Sequence, residues 1–181
     1  MPTPDETDTV FTTDRLVVRR WRDSDLAALL AVYGDADAMR WVGDAQPLTG
    51  EEAERWLEVT ASNYRLRGYG MFAMEDVKEG DVIGFCGIVH PGGQAQAEVK
   101  YALHRDHWGR GLATEAVLGL VRYGQVAHHL EYMIATVAPE NAASQRVLVK
   151  AGFVRGEPRV HGDGTVTEVY EWTTPNVSTG S

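Results

Sequence analysis

The chain has 181 residues and a net charge of −9, with 17 Lys and Arg against 26 Asp and Glu. No basic patch stands out, which argues against a nucleic-acid binder, and no apolar run approaches the roughly 20 residues that span a bilayer. Cys86 is the single cysteine, so an intramolecular disulfide and a cysteine-based zinc site are excluded.

The length fits one domain over residues 1–181, with a core at about residues 13–173 and frayed termini on either side. The first residues, MPTPDETDTV, are acidic and polar, whereas a signal peptide begins with basic and then apolar residues. We therefore expect a cytoplasmic protein with no membrane segment.

The first half of the chain predicts one short strand and three helices. They are a strand at 15–20, a helix capped by Asp23 or Ser24 that runs to about Gly34, a short helix at 36–41, and a helix that the capping box at 49–52 opens and that runs to about Arg67.

The second half is richer in strands. It predicts strands at 69–76, 81–89 and 98–104, a helix at 112–128, a strand at 132–137, a helix at 141–151 that Gly152 ends, and strands at 153–160 and 165–173 around a hairpin loop at 161–164. The order predicts a mixed α/β domain with an antiparallel meander in its middle.

A glycine pair stands where a strand turns into a helix, within EVKYALHRDHWGRGLATEA at residues 98–116. Glycines there allow backbone N–H groups to approach an anion closely, and the helix N-terminus adds its positive dipole end. The segment is therefore a candidate phosphate or pyrophosphate site. The alternative is that Gly109 and Gly111 form a simple tight turn and that Trp108 is a core aromatic residue.

Two known phosphate-binding patterns fit this loop poorly. A P-loop needs GxxxxGK followed by Ser or Thr, which the segment lacks. A dinucleotide-binding loop needs Gly or Ala where Thr114 stands, an acidic residue at the end of the next strand, for which Glu140 is a poor match, and an early parallel strand.

The third pattern is one for acetyl-coenzyme A. WGRGLATEA resembles the pyrophosphate loop of the GCN5-related N-acetyltransferase (GNAT) superfamily, in its branch of ribosomal-protein N-terminal acetyltransferases. Residues 13–26, 80–88 and 140–153 resemble other segments of that branch, in the same order. Asp106 stands where the family pattern has Gln or Arg, and we expect its carboxylate to point away or to cap the turn.

This resemblance implies the GNAT fold, a central mixed and mostly antiparallel sheet of about seven strands flanked by helices. It implies an acyltransferase of the EC 2.3.1 type that passes an acetyl group from acetyl-CoA directly to a primary amine, either a protein N-terminus or a small molecule. A non-catalytic acyl-CoA sensor and a dinucleotide-dependent oxidoreductase are the alternatives. A homodimer is compatible with the family.

The resemblance also implies where the donor binds. The strand before the loop would pair with the pantetheine arm, in a splay between it and the strand at 132–137. Arg105, Arg146 or Lys150 could reach the adenosine phosphate. The expected cofactor-binding residues are Leu103, His104, Trp108, Gly109, Arg110, Gly111, Leu112, Ala113, Thr114, Asn141 and Ser144.

Ser144 and Glu98 are the expected catalytic residues. The resemblance makes Ser144 the proton donor to the departing thiolate; the alternative is that it is only a capping partner of Asn141. Glu98 is the expected base, because it lies on the strand facing the thioester; alternatively, Glu98 and Lys100 form a solvated face. The fallback bases are His90, Tyr101, Glu168 and Glu171.

The acceptor amine would bind a lobe made of the first two helices, residues 41–43 and the hairpin around Gly162. We expect no metal site, because the spacing of the two histidine pairs, His104 with His107 and His128 with His129, does not bring a set of ligands together.

Overall fold

A sheet of nine strands organises the part of the chain that the structure describes, residues 8–42 and 46–175 of a computed structural model. The strands are β1 (Thr9–Thr12), β2 (Leu16–Arg19), β3 (Met71–Asp76), β4 (Val82–Val89), β5 (Ala97–Leu103), β6 (Tyr132–Val137), β7 (Val154–Arg155), β8 (Arg159–Val160) and β9 (Val166–Thr173). Their order is β1-β2-β3-β4-β5-β6-β9-β7, with β8 paired to β9.

Five helices cover the two faces of this sheet. They are α1 (Leu26–Tyr33), α2 (Ala36–Met39), α3 (Gly50–Arg67), α4 (Leu112–His128) and α5 (Ala142–Lys150). None of the helices in the described ranges is long and apolar enough to cross a membrane.

The helix boundaries follow local chemistry closely. Thr49 and Glu52 form the predicted capping box of α3, and the helix ends at Gly68, whose φ is 81°. Asn141 caps α5 by accepting a hydrogen bond from the Ser144 N–H at 3.1 Å. These side chains satisfy N–H groups that have no partner within their helix.

Almost every strand pair is antiparallel. Among the strands of the described residues, β5 and β6 run parallel. The other seven pairs run antiparallel: β1–β2, β2–β3, β3–β4, β4–β5, β6–β9, β7–β9 and β8–β9. The predicted meander and the mostly antiparallel sheet are thus confirmed.

Two hydrophobic clusters lie on opposite faces of the sheet. One contains residues of α4 and α5, including Leu120 and Leu148, and the other contains residues of α1 and α3, including Leu29 and Ala53. Adjacent β5 residues split between the clusters, with Leu103 in the first and Ala102 in the second. Successive residues of β5 therefore face opposite sides of the sheet.

The terminal strands differ from the sequence-based expectation. The first dozen residues were expected to fray, but Thr9–Thr12 form β1 and pair with β2. The side chain of Phe11 packs against α4 beside Gly119 and Tyr123, which holds the segment in place. The expected strand at 153–160 is split into β7 and β8, because Pro158 in the break cannot donate a ladder hydrogen bond.

Candidate active site

A cleft opens where β5 and β6 separate. The two strands pair only at Ala97 with Met133 and at Glu98 with Ile134. Beyond these residues β5 stays paired to β4, while β6 stays paired to β9. The resulting cleft measures about 890 Å³ and is lined by residues 99–103 of β5 and 135–137 of β6.

The backbone of β5 presents hydrogen-bonding groups to this cleft. The N–H of His104 donates to the carbonyl of Ile83 at 2.8 Å, on the β4 side. Because successive residues in a strand direct these groups to opposite sides, Val99, Tyr101 and Leu103 direct theirs toward β6. An extended, amide-bearing ligand could pair with this edge as an added strand.

The glycine loop closes one end of the cleft. Gly109 and Gly111 have φ values of 70° and 78°, a region that favours glycine. Gly111 is the N-cap of α4 and supplies no side-chain cap, unlike the residues that cap α3 and α5. The helix's first internal bond joins the Glu115 N–H to the Gly111 carbonyl at 3.1 Å, so the N–H groups at 112–114 have no partner within the helix.

Most of the expected cofactor-binding residues line this cleft. They are Leu103, Trp108, Gly109, Gly111, Leu112, Ala113, Thr114, Asn141 and Ser144. Trp108 is 51% exposed and its indole N–H donates to the Leu103 carbonyl at 2.8 Å. It therefore joins the strand end to the loop and is not the core aromatic residue that a purely structural turn would have.

His104 and Arg110 do not line the cleft walls. The His104 ring accepts a hydrogen bond from the Asp106 N–H at 3.4 Å, and the Arg110 guanidinium lies 3.2 Å from the His107 ring. The Asp106 carboxylate is 75% exposed and does not line the cleft, so it points away, which is the first of the two expected positions. The side chain that caps the turn is the His104 ring and not the Asp106 carboxylate.

Ser144 and Tyr101 form a hydroxyl pair across the cleft. The Ser144 Oγ lies 2.6 Å from the Tyr101 hydroxyl, which also lies 3.3 Å from the Ser144 carbonyl. Burial raises the pKa of Tyr101 to about 12, although the Ser144 hydrogen bond opposes the shift. Tyr101 is therefore a neutral hydroxyl near pH 7 and a poor base.

Glu98 is buried at 2% exposure. Its carboxylate accepts from Thr136 Oγ1 at 2.5 Å and from Gln94 Nε2 at 3.1 Å, and it pairs with Lys100 Nζ at 3.0 Å. The alternative that Glu98 forms a solvated face is wrong, because the side chains of Thr136, Gln94 and Lys100 surround its carboxylate. Lys100 and Thr136 both line the cleft, so they connect it with the Glu98 carboxylate.

The other fallback bases have partners outside the cleft lining. His90 contacts Tyr69 and Gln94, Glu168 pairs with Arg155, and Glu171 accepts from Tyr132. The Arg155 hydrogen bond lowers the pKa of Glu168, which makes that carboxylate a weaker base.

Charged side chains near the loop fall into two groups. Arg105 is paired with Asp35 and Asp37, whereas Arg146 and Lys150 line the cleft. Arg146 and Lys150 are thus positioned to contact a phosphate in the cleft. Arg105 instead forms ion pairs with the N-cap and the first turn of α2.

Part of the expected acceptor lobe lines the cleft. Trp41 and Val42 line it from beyond α2, His161 and Asp163 from the loop between β8 and β9, and Thr167 from β9, whereas α1 and Gly162 are not among the lining residues. Gly43, which was also expected there, lies outside the described residues. Sequence reasoning did not select Thr136, because its role depends on contact with Glu98, 38 positions earlier in the chain.

Comparison with known proteins agrees with this architecture. A family model described as acetyltransferase (GNAT) domain matches residues 15–154. An uncharacterized N-acetyltransferase, p20, of Bacillus licheniformis is 32% identical over 143 residues, which cover 78% of this chain and 80% of that one. The [ribosomal protein uS5]-alanine N-acetyltransferase of Escherichia coli is 28% identical over 152 residues, 79% of this chain and 77% of that one.

A solved structure shares the fold. The ribosomal L7/L12 alpha-N-protein acetyltransferase RimL, in complex with coenzyme A, superposes with a TM-score of 0.78 at 16% identity, covering 92% of this chain and 98% of that one. A parallel dinucleotide-binding sheet is not compatible with the observed antiparallel order.

Proposed function

Since this chain belongs to the GNAT acetyltransferase family, we propose that its cleft between β5 and β6 holds acetyl-CoA and that the acetyl group passes directly to a primary amine. The observation that carries this proposal is the meeting of two features in one cleft. An uncapped helix N-terminus with two left-handed glycines opens beside a strand edge that has lost its partner.

The residues present fit the donor's chemistry. The N–H groups at Gly109–Thr114 suit a diphosphate, because a helix N-terminus without a side-chain cap leaves donors for an anion. Arg146 and Lys150 add positive charge in the same cleft. The free edge of β5 suits the two amides of a pantetheine arm. Asn141, at the N-terminus of α5, faces the cleft opposite this edge.

Acetyl-CoA supplies a thioester carbonyl that an amine can attack, with a thiolate as the leaving group. The Ser144 hydroxyl would donate a proton on the thiolate side, since it lines the cleft. Tyr101 lies 2.6 Å from this hydroxyl and is held neutral by burial, so it can orient the Ser144 O–H or share its role. No cysteine nucleophile is needed, because both reactants are held in proximity.

The acceptor nitrogen must lose a proton before or during attack, because an alkyl amine is mostly protonated near pH 7. We propose that the Thr136 hydroxyl, which lines the cleft, relays this proton: it accepts a proton from the amine while its own O–H proton passes to the Glu98 carboxylate 2.5 Å away. Lys100, whose ammonium pairs with the same carboxylate, takes no proton and holds Glu98 in place. A carboxylate in this position stabilises a positive charge that develops on the amine side.

A protein N-terminus is the first acceptor class to test. This proposal is supported by the Escherichia coli relative, whose name gives an alanine of ribosomal protein uS5 as its acceptor. The cytoplasmic location expected from the sequence agrees with such an acceptor. The homodimer is also a proposal, and light scattering would support it with a mass near twice 19.9 kDa.

The test is thiol release from acetyl-CoA with a panel of N-terminal peptides, polyamines and amino sugars, followed by mass spectrometry of the products. The proposal predicts amine-dependent release and a matching acetylated amine. Binding of acetyl-CoA with no release across the panel would favour the sensor. Protection against thermal unfolding by NADPH, with none by acetyl-CoA, would overturn the donor assignment.

A further inference from the structure

Arg15 lies in the turn between β1 and β2, outside the cleft lining, and joins this turn to the glycine loop. Its Nε donates to Glu115 Oε2 at 2.7 Å, and its Nη1 donates to the Arg110 carbonyl at 2.8 Å. The other carboxylate oxygen of Glu115 accepts from the Arg15 backbone N–H at 2.8 Å and from Thr13 Oγ1 at 2.6 Å. Four hydrogen bonds therefore connect three segments of the chain.

The bond to the Arg110 carbonyl fixes one peptide plane of the loop. In a trans peptide the C=O and the following N–H point in opposite directions, and the described chain contains no cis peptide. With the Arg110 carbonyl directed to Arg15, the Gly111 N–H points away from Arg15. Gly111 lines the cleft and Arg15 does not, so this orientation leaves the N–H on the side of the plane from which a ligand in the cleft could approach.

This peptide plane needs an anchor, because its own residues do not fix it. Gly111 has no side chain and can adopt a φ of either sign. Gly109, two positions earlier, has the same freedom, and a Cβ at Gly109 would meet nothing within 4 Å. A rotation of the plane would turn a carbonyl oxygen toward an anion, where an N–H is required.

We propose that Arg15 is a positioning residue that holds the Gly111 N–H toward the bound diphosphate, with Glu115 and Thr13 fixing the guanidinium in place. The proposal rests on acetyl-CoA binding as described above. It makes the N-terminal turn, which contributes nothing to the cleft walls, a determinant of donor affinity.

The negative charge of Glu115 makes it possible to distinguish a positioning role of Arg15 from simple electrostatic attraction between Arg15 and the diphosphate. A carboxylate on the first turn of α4 lies close to the anion site and opposes anion binding by Coulomb repulsion. Burial works to raise the pKa of Glu115, but the hydrogen bonds from Thr13 and Arg15 outweigh it and the pKa is lowered. Glu115 is thus an anion at neutral pH, and removing its charge should strengthen phosphate binding unless it positions Arg15.

The experiment is isothermal titration of acetyl-CoA into the wild type and into Arg15→Gln, Arg15→Lys and Glu115→Gln. We expect Arg15→Gln and Glu115→Gln each to weaken binding on the order of 10-fold, through loss of hydrogen bonds. Arg15→Lys should stay weak, because an ammonium cannot bond Glu115 and the Arg110 carbonyl in the fork geometry of a guanidinium. Arg22→Gln is the matched control, since Arg22 pairs with Asp8 at 3.0 Å near the same strands, and its affinity should match the wild type.

Tighter or unchanged binding by Glu115→Gln would overturn the proposal, as would full rescue by Arg15→Lys. If the wild type binds no acetyl-CoA, the proposed function fails and the positioning role is decided on the free protein. Hydrogen exchange of the Glu115 amide, which bonds the Gly111 carbonyl, should then be faster in Arg15→Gln than in Arg22→Gln. Equal exchange in the two variants would refute the role.

Discussion

Gly109 offers the cleanest test of the anion site. Gly109→Asp would place a carboxylate in a loop that lines the cleft, where a Cβ meets nothing within 4 Å and no protein atom has to move. Two charges about 5 Å apart interact by about 3 kcal/mol at an effective dielectric constant of about 20. We therefore expect acetyl-CoA to bind on the order of 10²-fold more weakly, as measured by isothermal titration.

Gly109→Asn is the matched control for this change. Both substitutions place a side chain at a φ of 70°, and Asn and Asp tolerate that region similarly, at a shared cost of about 1 kcal/mol. The difference between the two variants therefore isolates the charge. Gly111 is less suitable, because a Cβ there lies 3.5 Å from the Arg15 guanidinium, which would partly neutralise an added carboxylate. Equal affinity of the Asp and Asn variants would refute an anion site at this loop.

Two further variants probe the proposed chemistry, and one measurement probes the core. Ser144→Ala should lower kcat by about 10²-fold and leave the KM for acetyl-CoA nearly unchanged, because the backbone N–H that bonds Asn141 is retained; a wild-type kcat would remove Ser144 from the acid role. Glu98→Gln should lower stability by about 1–2 kcal/mol in urea unfolding, since Lys100 loses its charge partner, and kcat should fall with it; unchanged values would contradict both roles. Cys86 should not react with a thiol reagent in the native state, because burial raises the pKa of its thiol; rapid reaction without denaturant would contradict that burial.

Local signals made much of the fold predictable from the sequence. The capping box at Thr49 and Glu52, Asn141 before α5, and the glycines around Arg110 each act within a few residues, and the corresponding helices begin where they indicate. The antiparallel meander followed from alternating apolar residues and turn chemistry between 69 and 104.

The terminal strands were less predictable, because long-range packing decides them. Strand β1 exists because Phe11 packs on α4, more than a hundred residues later. The sequence does contain a β-branched and aromatic run at Thr9–Thr12, which is typical of strands. Pro158 was also a visible sign that the strand expected at 153–160 is interrupted.

The candidate active site was likewise predictable only where its residues lie close together in the sequence. Gly109, Gly111, Asn141 and Ser144 could be selected from motifs, because the spacing within each motif is local, and all four line the cleft. The contact of Glu98 with Thr136 joins positions 38 residues apart. The contacts of Tyr101 with Ser144 and of Arg15 with the loop join positions 43 and 95 residues apart. No local pattern encodes such contacts, so they become visible only in the folded chain.

A crystal structure of this protein with coenzyme A would test the proposed donor site most directly. We expect the pantetheine arm between β5 and β6, the diphosphate at the N–H groups of Gly109–Thr114, and the thiol near Ser144. Coenzyme A bound elsewhere, or a diphosphate that receives no backbone hydrogen bond from this loop, would contradict this expectation.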